Sequence, residues 1–157
     1  MKPNVLHIGL AVVLLFAAAP NARSQSTFVN LDFESANIIP DPASPYYPNA
    51  VSISNGLPGW SAYGGTFGPG QDIIYDTLSL GAAAISIHDA NGLIPIVQGS
   101  YTLYVQASYP GGAIVPAIGQ VGTVPTTARS VMFYGGGYTV TFAGQPIPVT
   151  AVGSGPN

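Results

Sequence analysis

"SYTLYVQAS", residues 100–108, alternates Tyr101, Leu103, Val105 and Ala107 with Thr102, Tyr104, Gln106 and Ser108. Successive side chains of a strand point to opposite faces, so this period of two lays an apolar row on one side and a polar row on the other. The pattern recurs along the chain. "AAISIHD" (83–89) sets Ile85 and Ile87 against Ser86 and His88, and "FVNLDFE" (28–34) sets Val29, Leu31 and Phe33 against Asn30, Asp32 and Glu34. "RSVMFYG" (129–135) and "YTVTFAG" (138–144) place Val131 with Phe133, and Tyr138 with Val140 and Phe142. Turn clusters such as "YPGG", "YGGG" and "AGQP" separate these runs. No window past residue 26 carries a 3.6-residue apolar stripe, so the reading is all-β, an antiparallel β-sandwich or barrel.

Residues 36–58 contain Pro40, Pro42, Pro45 and Pro48, which rule out a central strand between 40 and 48. They read as a stiff loop with one short strand at 50–53. "YGGTFGPGQD" (63–72) reads as a second, glycine-rich loop. No internal repeat and no domain boundary interrupts 27–157.

The N-terminus is laid out as a secretory signal peptide. Lys2 gives the positive start, Val5 to Ala19 is apolar apart from His7 and Gly9, and Pro20 leads into the small-residue stretch "NARSQS". The apolar run falls short of the ~20 residues a membrane span needs. Cleavage is expected after Ser24, with Ser26 as the alternative. The signal peptide is then residues 1–24, and a single β-sandwich domain occupies 27–157. The protein is expected to be secreted or held at the cell surface, with no transmembrane helix in the mature chain.

Charge narrows the function classes. The chain has three Lys/Arg and six Asp/Glu, and loss of Lys2 and Arg23 with the signal peptide leaves Arg129 as the only strong base. One arginine cannot neutralise a row of phosphates, so nucleic-acid binding is not expected, nor is attachment to anionic lipid through a basic patch. The absence of cysteine excludes disulfides, thiolate metal sites and cysteine nucleophiles. Fifteen aromatics beyond the signal peptide and many β-branched residues supply the apolar surface a core needs, despite 20 glycines and 15 prolines.

In chain order, "FVNLDFES", "LPGW", "GSYTLYVQAS", "AIGQVGTVPTTARSVMFYGG" and "YTVTFAGQPIPV" resemble the galactose-binding-like jelly-roll domains of bacterial secreted proteins of the PEP-CTERM type. The resemblance rests on an N-x-x-F-E … P-G-W opening and an I-x-Q … V-P … A-x-S middle. It implies an eight-to-nine-stranded jelly roll with a binding or structural role at the cell surface. Such domains close with a further strand and an acidic L-D-D-I segment, whereas this chain ends in "AVGSGPN" and has no PEP-CTERM tail. The expectation is a domain lacking its last strands, with an open sheet edge through which copies could associate.

Candidate sites follow from these readings. Trp60 in "LPGWSAYGG" could stack on sugar rings, but glycines around it and a single aromatic companion, Tyr63, favour an anchor in the sandwich core. The loop tyrosines Tyr46, Tyr47, Tyr63 and Tyr109 are the candidate glycan contacts. Asn30, Asp32 and Glu34 form a same-face row at about 7 Å spacing. With Asp89 and a loop carbonyl they could hold a structural calcium, which the resemblance also favours, while a plain solvent-facing row is the simpler account. No other cofactor is expected. Ser86, His88 and Asp89 do not read as a hydrolase triad, because Asp89 points away from the Ser86/His88 face and no G-x-S-x-G elbow is present. His88 is expected at a strand end, and Asp72 and Asp76, the one pair a glycosidase could use, as two solvated carboxylates. Arg129 is expected to pair with an acid at the sheet rim. The reading is a non-catalytic, carbohydrate-binding module, with a structural extracellular protein as the alternative and a hydrolase less favoured.

Overall fold

The computed structural model describes residues 27–109 and 113–153, and the expected signal peptide, residues 1–24, lies outside them. The fold is all-β. In chain order it comprises β1 (Ala50–Ser52), a single helical turn α1 (Ile53–Gly56), β2 (Ser61–Tyr63), β3 (Asp72–Tyr75), β4 (Ala84–His88), β5 (Thr102–Gln106), β6 (Ala117–Gly119), β7 (Val140–Phe142) and β8 (Gln145–Ile147). One sheet has the order β1-β3-β4-β5, and β2 pairs with β6 and β7 with β8 in two further sheets. All pairings are antiparallel except β3 with β4.

Register sorts the four-stranded sheet into two faces. Ile74 lies beside Ala50 and Ser86, and Ser86 beside Tyr104. Ala50, Ser52, Asp72, Ile74, Ala84, Ser86, His88 and Thr102 therefore share one face. Val51, Ile73, Ile85, Ile87, Leu103 and Val105 share the other. That second face is the core: Leu57, Ile73, Ile85 and Ile87 are fully buried together, with Phe33, Trp60, Ala62 and Ile118 packed on them. Ala62 and Ile118 come from β2 and β6, so the small sheet forms the second layer of the sandwich. The polar face is buried too, under loops, and β3 and β4 are enclosed on both sides. A solvated polar row, as the alternation in "AISIH" implies, is not what forms.

The expected strand over 28–34 is a turn, because Asn30 and Phe33 take left-handed φ values of 50° and 64°. Local bonds hold it there. Asn30 Oδ1 accepts from Ser35 N–H (2.9 Å), and Glu34 accepts from Ser100 N–H through both carboxylate oxygens (2.9 and 3.0 Å). Phe33 alone of the apolar row turns inward, with its ring 5.3 Å from Trp60. Trp60 packs on the core as anticipated, and its indole N–H donates to Asn30 O at 2.8 Å. The C-terminal stretch also departs from expectation. Residues 129–135 form no strand, and Val131, Met132 and Phe133 are exposed. β7 and β8 make a separate hairpin whose turn, Ala143-Gly144, has φ of 48° and 77°, the positive pair that a two-residue hairpin with the right twist demands. The short strand expected at 50–53 is β1, followed at once by α1.

Ile87→Ala is expected to cost about 2–5 kcal/mol in urea unfolding, the range for emptying a sealed aliphatic site. Leu31→Ala discriminates turn from strand. At 60% exposure it should change stability by no more than about 0.5 kcal/mol, whereas a strand facing Leu31 into the core would make it as costly as Ile87→Ala.

Candidate functional site

Three groups of polar or aromatic residues stand apart from the core. The first lies where β3 and β4 end. His88 is fully buried, not a solvated strand end, and its Nε2 lies 3.0 Å from Ser86 Oγ. Its Nδ1 has no hydrogen-bond partner among the described residues. Gly92 folds over it so closely that a Cβ there would sit 2.8 Å from Nδ1 and 2.5 Å from Asp76 Oδ1. Asp76 Oδ1 accepts Asp89 N–H at 2.9 Å, and the Tyr75 hydroxyl donates to Asp89 Oδ2 at 2.6 Å. Burial lowers the pKa of the His88 imidazole below its ordinary 6.5, against the opposing pull of Asp76 and Asp89. Burial, then hydrogen bonds to Asp89 and Asp76, push the Tyr75 phenol up. The Tyr75 hydroxyl and the Asn91 N–H hold Asp89 below the usual carboxylate range.

Serine, histidine and aspartate thus come together, though not with catalytic access. Ser86 and His88 are both sealed from solvent, and Gly92 lies against both the His88 Nδ1 and Asp76 Oδ1. Asp72 and Asp76 do not form a carboxylate pair. They sit at opposite ends of β3, roughly 13 Å apart at ~3.3 Å per residue, beyond the separations that glycoside hydrolysis uses. Asp72 is fully buried, contrary to the expected solvated carboxylate, because its strand is covered on its polar face. Among the described residues Arg129 pairs with no acid, and it donates to Thr126 O (3.3 Å) and Ala128 O (3.4 Å).

The second group is the proposed calcium row. Turning the backbone scatters it. Asn30 spends its amide on Pro58 O and its carbonyl oxygen on Ser35 N–H, and Asp32 Oδ1 accepts Glu34 N–H. Glu34 also takes Tyr101 N–H at 3.3 Å. Asp32 and Glu34 still line a hollow of about 170 Å³ with Gln98 and Gly99. Gly99 lies against the Glu34 carboxylate with φ of 71°, a place where any side chain would meet both strain and a clash. Among the described residues no group of three or more His, Cys, Asp or Glu side chains is placed to hold a metal.

The third group is the tyrosines. Tyr46, Tyr47, Tyr63 and Tyr109 are 45–81% exposed. Tyr46 lies against Phe67, centroids 4.4 Å apart at 56°. Tyr63 is on β2, facing Gly119 of β6, and Tyr109 follows β5, its N–H bonded to Gly81 O. Among the described residues no ring contact joins any two of the four. Tyr46 and Tyr47 come from the proline-stiffened segment that also lines a shallow hollow of about 240 Å³ with Pro40, Asp41, Pro42, Ser52 and Asn55. No family model, curated protein or solved structure matches this chain.

The pKa of His88 predicts a pH response. A lowered folded-state pKa means that the unfolded chain binds the proton more readily. The stability tied to the neutral imidazole is complete above the unfolded value near 6.5 and is lost as pH falls below it. Asp89 adds a second loss lower in the acid range. Thermal unfolding should shift down by a few degrees between pH 7.5 and 5.5, and His88→Gln should flatten that interval while leaving the steeper acid limb. An unchanged slope in the variant would assign the response to another group.

Proposed function

We propose that this chain is an exported, non-catalytic module that binds extracellular glycans. The observation that carries the reading is the exposed ring of Tyr46, packed on half-buried Phe67, with Tyr47 beside it in sequence, on a segment that also offers Asp41, Ser52 and Asn55 around a hollow. Sugars present apolar C–H faces to aromatic rings and hydroxyls to carboxylates and amides, and this segment supplies both kinds of partner. The acidic, charge-poor composition favours neutral or basic glycans over nucleic acid or anionic lipid. The burial of Ser86 and His88 supports a role without turnover.

A structural extracellular role is the alternative, and one observation favours it: Val131, Met132 and Phe142 stand exposed in the C-terminal third, where a second copy or a surface could cover them.

Retention on insoluble polysaccharides, followed by a glycan array, separates the two. Binding should weaken about tenfold or more in Tyr46→Ala and Tyr47→Ala, a loss of ~1.4 kcal/mol or above, with Tyr109→Ala less affected. Failure of the parent protein on every glycan, with concentration-dependent association by light scattering, would favour the structural role.

A further inference from the structure

Among the described residues, Asp72 is the one carboxylate that the fold encloses completely while giving neither oxygen a hydrogen-bond donor. A buried, unpartnered charge is costly, and native chains satisfy such groups with a donor, a counter-charge or an ion. The surroundings of Asp72 are specific. Phe67 and Asp72 exchange backbone hydrogen bonds (3.0 and 2.8 Å), closing the loop "FGPGQD" onto itself. Gly68 and Gly70 then face the carboxylate, where a Cβ on Gly68 would lie 3.3 Å from Oδ2 and one on Gly70 would lie 2.9 Å from Oδ1. The same point beside Gly70 is 3.0 Å from Oδ2 of Asp41. Two carboxylates from distant parts of the sequence therefore converge on a space that two glycines leave clear.

Asp41 is firmly placed. Its N–H donates to Ala50 O and its Oδ1 accepts Ala43 N–H, each at 2.8 Å, which leaves Oδ2 turned toward Gly70. It also lines the hollow of about 240 Å³ with Ser52 and Asn55. No base of the described chain balances the pair, since Arg129 is engaged with carbonyls at 126 and 128. Two like charges with oxygen donors only, one sealed and one at a solvent-facing lip, are the donor set of a hard divalent cation.

We propose that Asp41 and Asp72 hold Ca²⁺ beside the 67–72 loop, with water completing the coordination shell. This site is separate from the Asn30/Asp32/Glu34 turn and does not depend on the glycan reading. Its role is to lock the proline-stiffened segment to the start of β3.

The test is calcium titration calorimetry and thermal unfolding with Ca²⁺ or EDTA, on the parent protein and on Asp72→Asn, Asp41→Asn and Asp32→Asn. The parent should bind about one equivalent in the 0.1–1 mM range typical of extracellular modules, with an unfolding midpoint several degrees higher in Ca²⁺. Asp72→Asn should lose the calcium shift while melting at least as high as the parent in EDTA, because it removes an unpartnered charge. Asp41→Asn should weaken binding tenfold or more, and Asp32→Asn should leave it intact. Terbium emission sensitised by Tyr46, next to Phe67, gives an independent readout that Asp72→Asn should abolish. No binding by the parent up to millimolar Ca²⁺ would overturn the proposal. Loss of binding in Asp32→Asn but not in Asp72→Asn would move the ion to the other acidic hollow.

Discussion

Burial of β3 and β4 on both faces is the constraint from which the remaining architecture follows. Ile73, Ile85 and Ile87 need a second layer on one side, which β2, β6, Leu57 and Trp60 supply. On the other side the same strands present Asp72, Ser86 and His88, with Thr102 next to them on β5. Members of an enclosed polar row as a rule find a partner, and in this row Asp72 alone has none among the described residues. Ser86 and His88 meet each other, and the Thr102 hydroxyl accepts Val97 N–H at 2.7 Å. Loops rather than a third sheet make that cover, which gives the glycine- and proline-rich connections a structural role. They approach strand side chains closely, as Gly92 does over His88 and Gly70 over Asp72.

The N-terminal turn is the second fixed point. Phe33 stacks beside Trp60, Asn30 bonds Pro58 and Trp60, and Glu34 gathers the N–H groups of Ser100 and Tyr101. Gln120 grips Val29, donating to its carbonyl at 2.6 Å and accepting from its N–H at 3.1 Å. One clasp thus ties the start of the described chain to the loops before β2 and β5 and the end of β6. The acids and amides there serve folding, and the exposed tyrosines lie elsewhere.

Much of this was legible in the alternation of apolar and polar residues. The strands at 84–88 and 102–106 and the short one at 50–52 lie where that alternation or the turn chemistry puts them, and Trp60 packs where its glycine-flanked context implies. Two kinds of information were missing from pattern alone. "FVNLDFE" alternates as cleanly as "SYTLYVQ", yet becomes a turn, because side-chain-to-backbone bonds from Asn30 and Glu34 outcompete a ladder. No local rule distinguishes an Asn that caps its own turn from one on a solvated strand face. Alternation also says which residues oppose each other without saying what covers the polar side. The burial of Asp72 and His88 therefore belongs to loop packing, which depends on contacts such as Pro45 near Gly68 and Gly92 near Asp76.

Asp72 and His88 end the same polar row at opposite ends of the sheet, and their chemistry differs in a way that matters. An imidazole becomes neutral by giving up a proton near pH 6.5, so desolvation at His88 is relieved simply by leaving the ring uncharged at neutral pH. The Asp72 carboxyl has no hydrogen-bond donor to either oxygen among the described residues, and the Asp41 carboxyl lies across the same space beside Gly70. A chain so poor in lysine and arginine cannot answer from within. Low charge limits nonspecific contacts at the surface, and at this one enclosed position it leaves the counter-charge to be supplied from the surroundings.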